Sequence, residues 1–227
     1  MEPTIYKPSI YKGAGIYKTG SGGGGGDTNP DGSIKKIALL NKDVSHYMEI
    51  NGLSLSRLLT YEFEYIQSGS GGLFGAIYEG TQAYYYRTVA GCKGYGGAVL
   101  GGGTYNSGEY TVSGSTTGAK CKYVSKQNNN NYTFEIYVND ILAGSNTTSF
   151  AYGTPTVQKL YLFKCWDRSN NESGTFPFLG LKIKDPDDDS VKYNFTPAEK
   201  AGVAGVYEEI TNTFYGEPYH DNSIVCL

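Results

Sequence analysis

"FLGLKIKDPDDDSVKYNFTPAEKAGVAGVYEEITNTFY", residues 178–215, is the stretch whose reading decides the fold. Two apolar runs, Phe178–Lys184 and Val191–Phe195, flank Asp185-Pro186-Asp187-Asp188-Asp189. Proline fixes φ and aspartate side chains bond nearby backbone N–H groups, so this segment predicts a hairpin turn. Calcium is the sharper alternative for the acids. An EF-hand loop, however, needs ligands at fixed offsets closing on a glutamate at the twelfth position, and none stands there. Downstream, "PAEKAGVAGVYEEI" (197–210) is the best helical candidate in the chain, and Gly202 and Gly205 argue against it. Val206, Tyr207, Ile210, Phe214 and Tyr215 are expected to lie across the open end of a sandwich and finish its core.

Working outward, the same texture continues. In "LTYEFEYIQ" (59–67), Tyr61, Phe63 and Tyr65 share one strand face, and Glu62, Glu64 and Ile66 share the other. "KCKYVSKQ" (120–127) and "YTFEIYVNDILAG" (132–144) read as hairpin partners, with Asn128–Asn131 turning between them and Asn139-Asp140 making the next turn. The glycine-rich "GYGGAVLGGG" (94–103) lacks the Lys-Ser/Thr ending of a phosphate loop and reads as turns or a flexible loop. The 227 residues include 32 Gly and 22 Tyr, a composition that favours strands joined by many turns. Closely spaced strands without a convincing helix predict an all-β sandwich or jelly roll.

The formal net charge is −3, so no basic field exists to hold nucleic acid or an acidic membrane surface. No apolar run reaches the ~20 residues of a membrane helix. The N-terminus shows no apolar signal-peptide core, so the expectation is synthesis and release in a cytosol. Cys92, Cys121, Cys165 and Cys226 form no C-x-x-C pair, so neither zinc nor any other metal or cofactor is expected, and reduced thiols are favoured.

Three segments are expected. Residues 1–19 form an extended attachment peptide, 20–33 a glycine-rich flexible linker, and 34–227 the β-sandwich domain. The first carries Ile5-Tyr6-Lys7, Ile10-Tyr11-Lys12 and Ile16-Tyr17-Lys18, at spacings that fit neither helix nor strand. Disordered tails usually lack aromatic and β-branched residues. Each triplet can bury an Ile and a Tyr against a partner while its Lys stays wet. Burial contributes on the order of 1.5–3 kcal/mol per side chain. Ordering the chain costs about 1–2 kcal/mol per residue, so three triplets in series are needed to anchor. Fully stretched, the tail spans on the order of 60 Å.

The C-terminal third also carries a family resemblance. Leu160–Phe163, Phe178–Phe195, Pro197-Ala198 and Gly202–Tyr215 follow one another as in the laminin-G-like, concanavalin A-like jelly rolls of bacteriophage structural and tail proteins. "HYMEINGLSLSRLLTYEFEY" (46–65) looks like that group's opening strands. "IYKPSIYKGAGIYK" (5–18) resembles the N-termini of short virion proteins from phages of gut bacteria. The final "HDNSIVCL" departs from the pattern and leaves the last strand open. The resemblance implies a virion-surface protein made in the host bacterial cytoplasm: a head fibre, capsid decoration or tail appendage. It would contact other virion proteins through its tail, act in several copies as a homo-oligomer, and meet bacterial-surface or mucin glycans without inserting into a membrane; the alternatives are a purely structural decoration with no external ligand and a secreted glycan-binding lectin, the latter opposed by the missing signal-peptide core.

Sugars stack their CH faces on aromatic rings and give their hydroxyls to carboxylate, amide and guanidinium groups. Trp166, Asp167 and Arg168, in a polar loop holding the only Trp, are candidate glycan contacts, and Tyr84 and Tyr86 in "QAYYYR" are a second set. Glu62 and Glu64 supply two carboxylates two residues apart. Laminarinase-like enzymes of the same fold class add a third acid and a Trp-rich cleft, both absent here, so no catalytic residue is assigned.

Overall fold

The computed structural model describes residues 27–227 except 44, 57, 68–70, 78–82, 90–92, 101–102, 112–117, 129–130, 150–155, 165–175 and 220; across 71–111 and at 127–128, 132, 148–149 and 156–157 it describes backbone alone. The strands, in chain order, are β1 (Ile34–Lys35), β2 (Leu39–Asn41), β3 (Met48–Ser56), β4 (Thr60–Ile66), β5 (Gly71–Ile77), β6 (Ala83–Val89), β7 (Lys93–Leu100), β8 (Gly103–Thr111) and β9 (Lys120–Asn128). They continue with β10 (Asn131–Val138), β11 (Ile141–Ser149), β12 (Thr156–Leu162), β13 (Pro177–Lys184), β14 (Val191–Lys200), β15 (Val203–Glu208), β16 (Thr213–Gly216) and β17 (Ile224–Cys226). Every pairing is antiparallel, and no helix occurs among the described residues.

Two sheets result. The larger runs β11-β10-β9-β4-β13-β14-β15-β16, with β1, β2 and β17 attached, and the smaller runs β3-β12-β5-β6-β7-β8. Period-two alternation selects what lies between them. Tyr61, Phe63 and Tyr65 of β4 are buried, and Glu62, Glu64 and Ile66 alternate to the half-buried outer face, as the sequence predicts. They join one core with Met48, Ile50 and Leu55 of β3 and Leu160 and Leu162 of β12. Phe63 packs on Phe178 at 5.2 Å and on Phe176 at 6.0 Å between ring centroids.

Phe163 adopts φ 72°, a conformation that costs a bulky residue on the order of 1–3 kcal/mol. Its ring is fully buried and lies 5.5 Å from Phe176, so core packing offsets the strain. That contact closes the base of the segment between residues 163 and 176.

The chain ends of the domain fill a gap in the larger sheet. From their hairpin, β13 and β14 pair from Lys184↔Val191 to Leu181↔Phe195 and then separate. β2 takes the vacated edge of β13 through Pro177↔Leu40, and β1 takes that of β14 through Lys35↔Ala198. β17 then pairs with β2, so the departing "HDNSIVCL" ends in a strand of this sheet. The outer edge of β3 is covered from the same direction: Ser54 N donates to Tyr193 Oη at 3.0 Å, and just before it Tyr47 N donates to Tyr219 Oη at 3.4 Å. Tyrosine hydroxyls thus occupy backbone groups that would otherwise template a foreign strand.

Several local expectations meet the structure here. Asn139-Asp140 is a two-residue turn with φ 49° and 64° and register Val138↔Ile141. Asn128 pairs with Asn131 across the next reversal. The "PAEKAGVAGVYEEI" segment is strand, turn and strand, with Ala201 and Gly202 at φ 51° and 82°. Within the glycine-rich 94–103 segment, residues 94–100 are strand rather than loop: β7 and β8 pair from Lys93↔Thr111 to Leu100↔Gly103, and 101–102 lie outside the described residues. Strand propensity depends on context, and neighbours on the sheet supply the ladder that glycine alone does not favour. Ile210 is 54% exposed in a turn and does not cover the core, whereas Val206 and Tyr207 are buried in β15.

The domain also begins before Ile34. Asn29 and Ser33 are buried, Asp31 Oδ1 accepts from Ser33 N at 3.0 Å, and Asp31 Oδ2 pairs with Lys200 Nζ at 3.0 Å. The Asn, Asp, Pro and Gly residues that read as linker are turn formers in this place.

Candidate functional site

One end of the sandwich carries a groove of about 650 Å³ between two reverse turns. The first joins β3 to β4. Leu59 N and Tyr61 Oη both donate to Ser56 O, at 3.2 and 2.8 Å, and buried Leu59 plugs the turn into the core. Half-buried Leu58 is left facing the groove.

The second turn is the Asp185–Ser190 hairpin. Asp185 N donates to Ser190 O at 2.9 Å and Asp189 N to Asp185 O at 3.0 Å. Asp185 Oδ1 accepts from Asp187 N and Asp188 Oδ1 from Ser190 N, both at 3.0 Å. These acids are turn formers, as the sequence predicts, and Asp185 and Asp187 line the groove beside Pro186. Among the described residues, no His, Cys, Asp and Glu group is placed to hold a metal ion.

The floor comes from the cross-strand neighbours Lys126 and Thr133, and Lys192 stands at the start of β14. Lys192 Nζ lies 2.9 Å from Asp185 Oδ2, and Lys126 Nζ lies 3.0 Å from Glu135 Oε2. Thr133 Oγ1 and Thr147 Oγ1 are 3.0 Å apart. Lys192 holds the Asp185 carboxyl below the usual carboxylate range, helped by the Asp187 N–H, and Asp185 in turn raises Lys192. The groups are therefore charged at neutral pH and already positioned. Each keeps unused hydrogen-bonding capacity: an ammonium has three N–H donors and a carboxylate about four acceptor sites.

A second, smaller hollow of about 250 Å³ lies on the outer face of the larger sheet, over Gly180 and between Glu62, Glu64, Lys182, Asn194 and Thr196. Glu62 is paired with Lys184 at 2.8 Å and Glu64 with Lys120 at 3.3 Å. The bond from Glu62 raises Lys184 against the opposing effect of burial. Both carboxylates are thus committed to lysines of the same face.

On the outer side of β3 and β12, Lys164 Nζ sits 4.0 Å over the Tyr47 ring and 5.5 Å from that of Tyr161. Tyr161 Oη and Lys159 Nζ both donate to Glu49, at 2.8 and 2.9 Å. This shelf stands where the chain leaves for Trp166, Asp167 and Arg168, which lie outside the described residues. So do the three Ile-Tyr-Lys triplets. Tyr84 and Tyr86 are placed by backbone register, Tyr84 with Ala76 and, one strand further, Leu160; Tyr86 with Phe74 and Leu162. Their rings are likewise outside the description.

The groove residues Ser56, Thr60, Lys126, Thr133 and Lys192 carry no sequence signal. They are ordinary strand-end residues from distant parts of the chain, and only the acidic hairpin between them is visible beforehand.

No family model and no curated protein matches this chain. Solved structures do. Domains LG4-5 of the mouse laminin α1 chain align over 78% of this chain and 46% of that one, at 15% identity and TM-score 0.53. The native heptameric SAP-like pentraxin from Limulus polyphemus aligns over 84% and 94%, at 10% identity and TM-score 0.53. A candidate carbohydrate-binding protein from Bacteroides ovatus aligns over 86% and 61%, at 13% identity and TM-score 0.50. The chain thus spans under half of the laminin pair and about three-fifths of the Bacteroides protein. The likeness shows the fold: a laminin-G-like and pentraxin-like jelly-roll sandwich, as the sequence resemblance implies.

Proposed function

We propose that this chain is a surface appendage of a bacteriophage particle, a head fibre, capsid decoration or tail component made in the host cytoplasm. Residues 1–19 anchor it to other virion proteins, and the jelly roll is displayed to glycans of the bacterial surface or of mucin. The observation that carries the glycan-binding half is the end groove. It is concave, of ligand size, and lined by polar groups fixed before any ligand arrives. Its fold is shared with the Bacteroides carbohydrate-binding candidate. The Trp166 loop and the Tyr84/Tyr86 strand remain further candidate contacts under this reading.

The domain acts by binding rather than by turnover. Glu62 and Glu64 are each engaged by a lysine, and no third acid stands beside them on β4. Several copies on one particle convert weak single-site binding into avidity.

The test is an oligomerised full-length chain on a glycan array, with a turnover assay on retained glycans. Retention of a glycan class without cleavage is expected. Absence of retention across the array removes the glycan-binding half. Deleting residues 2–19 is expected to abolish incorporation into particles, and normal incorporation removes the anchoring half.

A further inference from the structure

The same three strands run under the end groove and under the smaller hollow, and their register relates the two. Outward residues of β4 come at every second position, Thr60, Glu62 and Glu64. Thr60 lines the groove, whereas Glu62 and Glu64 line the hollow. β14 repeats the arrangement, with Lys192 in the groove and Asn194 and Thr196 in the hollow. Between them β13 sets Lys184 opposite Thr60, Lys182 opposite Glu62 and Gly180 opposite Glu64. Groove and hollow therefore open on one face of the larger sheet, in line along the strands. From Thr60 to Glu64, as from Lys192 to Thr196, a strand advances about 13 Å. What lies between them is low. Lys184 and Glu62 hold each other at 2.8 Å with side chains only 17% and 22% exposed, so the pair lies along the sheet and raises no wall across it.

The hollow has a cause in the backbone. β13 and β14 separate beyond Leu181↔Phe195, β13 bulges between Phe178 and Gly180, and Gly180 puts no side chain into the opening. Its rim suits sugar hydroxyls, which both donate and accept. The Lys182 ammonium donates, and the Thr196 hydroxyl does either. The bonds from Lys184 and Lys120 each use one of about four acceptor sites on Glu62 and Glu64. A single sugar ring in either hollow does not reach the other. A chain of linked rings lying along β13 reaches both, and each further contact is made by a ligand already held, without a second cost of association.

We infer that the end groove and the hollow over Gly180 are two stations of one trough along β13, and that the glycan it takes is a linear chain gripped along its length rather than a terminal mono- or disaccharide. This rests on the glycan-binding reading above.

The experiment measures the solution affinity of the full-length chain for linear gluco-, xylo-, manno- and chito-oligosaccharides graded from monosaccharide to hexasaccharide, and for graded fragments of any glycan the array retains. Affinity is expected to rise about tenfold or more between disaccharide and hexasaccharide, the worth of one added charge-assisted hydrogen bond. Gly180→Val fills the hollow, its first added carbon meeting only the Phe195 carbonyl at an ordinary 3.4 Å, and is expected to remove that rise. Glu64→Ala breaks a half-exposed ion pair, leaves the fold standing, and is expected to reduce the rise to about threefold. Melting curves establish that each variant is folded. Affinity that is level from the disaccharide upward overturns the inference while the glycan reading stands. So does a rise with length that a folded variant of either kind leaves intact, since the chain then runs elsewhere. Failure to bind any glycan at any length removes the underlying reading and the inference together.

Discussion

The two reverse turns that flank β14 and β15 use the same device to opposite ends. Both are organised by carboxylates that accept backbone N–H groups. At the turn after β15, Glu208 is completely buried and accepts from Asn194 N, Ile210 N, Thr211 N and Thr211 Oγ1 at 2.6–3.1 Å. Its acceptor sites are filled from inside the fold. At the Asp185–Ser190 hairpin, Asp185 and Asp188 each accept a single backbone N–H, and the Asp187 carboxylate is exposed. The first turn is saturated and the second is left with capacity facing a groove. A carboxylate that closes a turn can therefore be wholly spent within the fold or left with capacity to spare, and the count of its bonds tells which.

The contrast predicts a gradient of tolerance. The largest loss belongs beside the saturated turn, where β15 and β16 approach so closely that a Cβ on Gly205 would collide with the Tyr215 carbonyl. Gly205→Ala is expected to destabilise the domain by about 3 kcal/mol in chemical denaturation, since backbone must shift to admit it. Next comes Glu208→Ala, which strips partners from several N–H groups at once. A loss of about 2 kcal/mol is expected, and a value near zero would break the comparison. Lys184→Ala removes the partner of Glu62 from the half-covered outer face and is expected to cost under about 1 kcal/mol.

The smallest effect is one of pH. Lys192 and the Asp187 N–H stabilise ionised Asp185 and lower its folded pKa below the unfolded value. The folded hairpin therefore binds its proton less readily than the unfolded chain. Its contribution is full above the ordinary aspartate pKa of about 3.9 and is lost only as pH falls through the lower folded value. Chemical shifts of the Asp185–Ser190 amides are expected to hold steady from neutral pH to about pH 5. Loosening above that range would assign the turn's order to something other than this pair.

The same distinction explains what could be read from the chain in advance. The alternation in β4 is legible because apolar and charged residues change places at every step, and burial obeys it. The Asn139-Asp140 turn is legible because those residues accept positive φ. The β7–β8 pairing is not, because glycine states no preference and the ladder is decided by neighbouring strands. Ile210 misleads because an apolar residue inside a patterned run reads as core, while Glu208 and Asn212, with φ 55°, fix a turn that points it outward. The groove is illegible for another reason. Its walls belong to β3–β4 and β13–β14 and its floor to β9–β10, and pairing across a sheet, rather than local pattern, brings them together.

The way β1 and β2 enter the larger sheet has a mechanical consequence. Tension applied at Asp27 first meets the bond from Lys35 N to Asp27 O and the Thr28–Ile34 bridge, then the Asp31–Lys200 ion pair and the two residues of β1 on β14. Beyond it, β2 is gripped between β13 and β17, with Leu39 buried in the core, and gives way only if the sandwich itself opens. Residues 27–35 are thus expected to come away first when the N-terminal end of the described domain is pulled, while the groove at the far end of β14 keeps its shape.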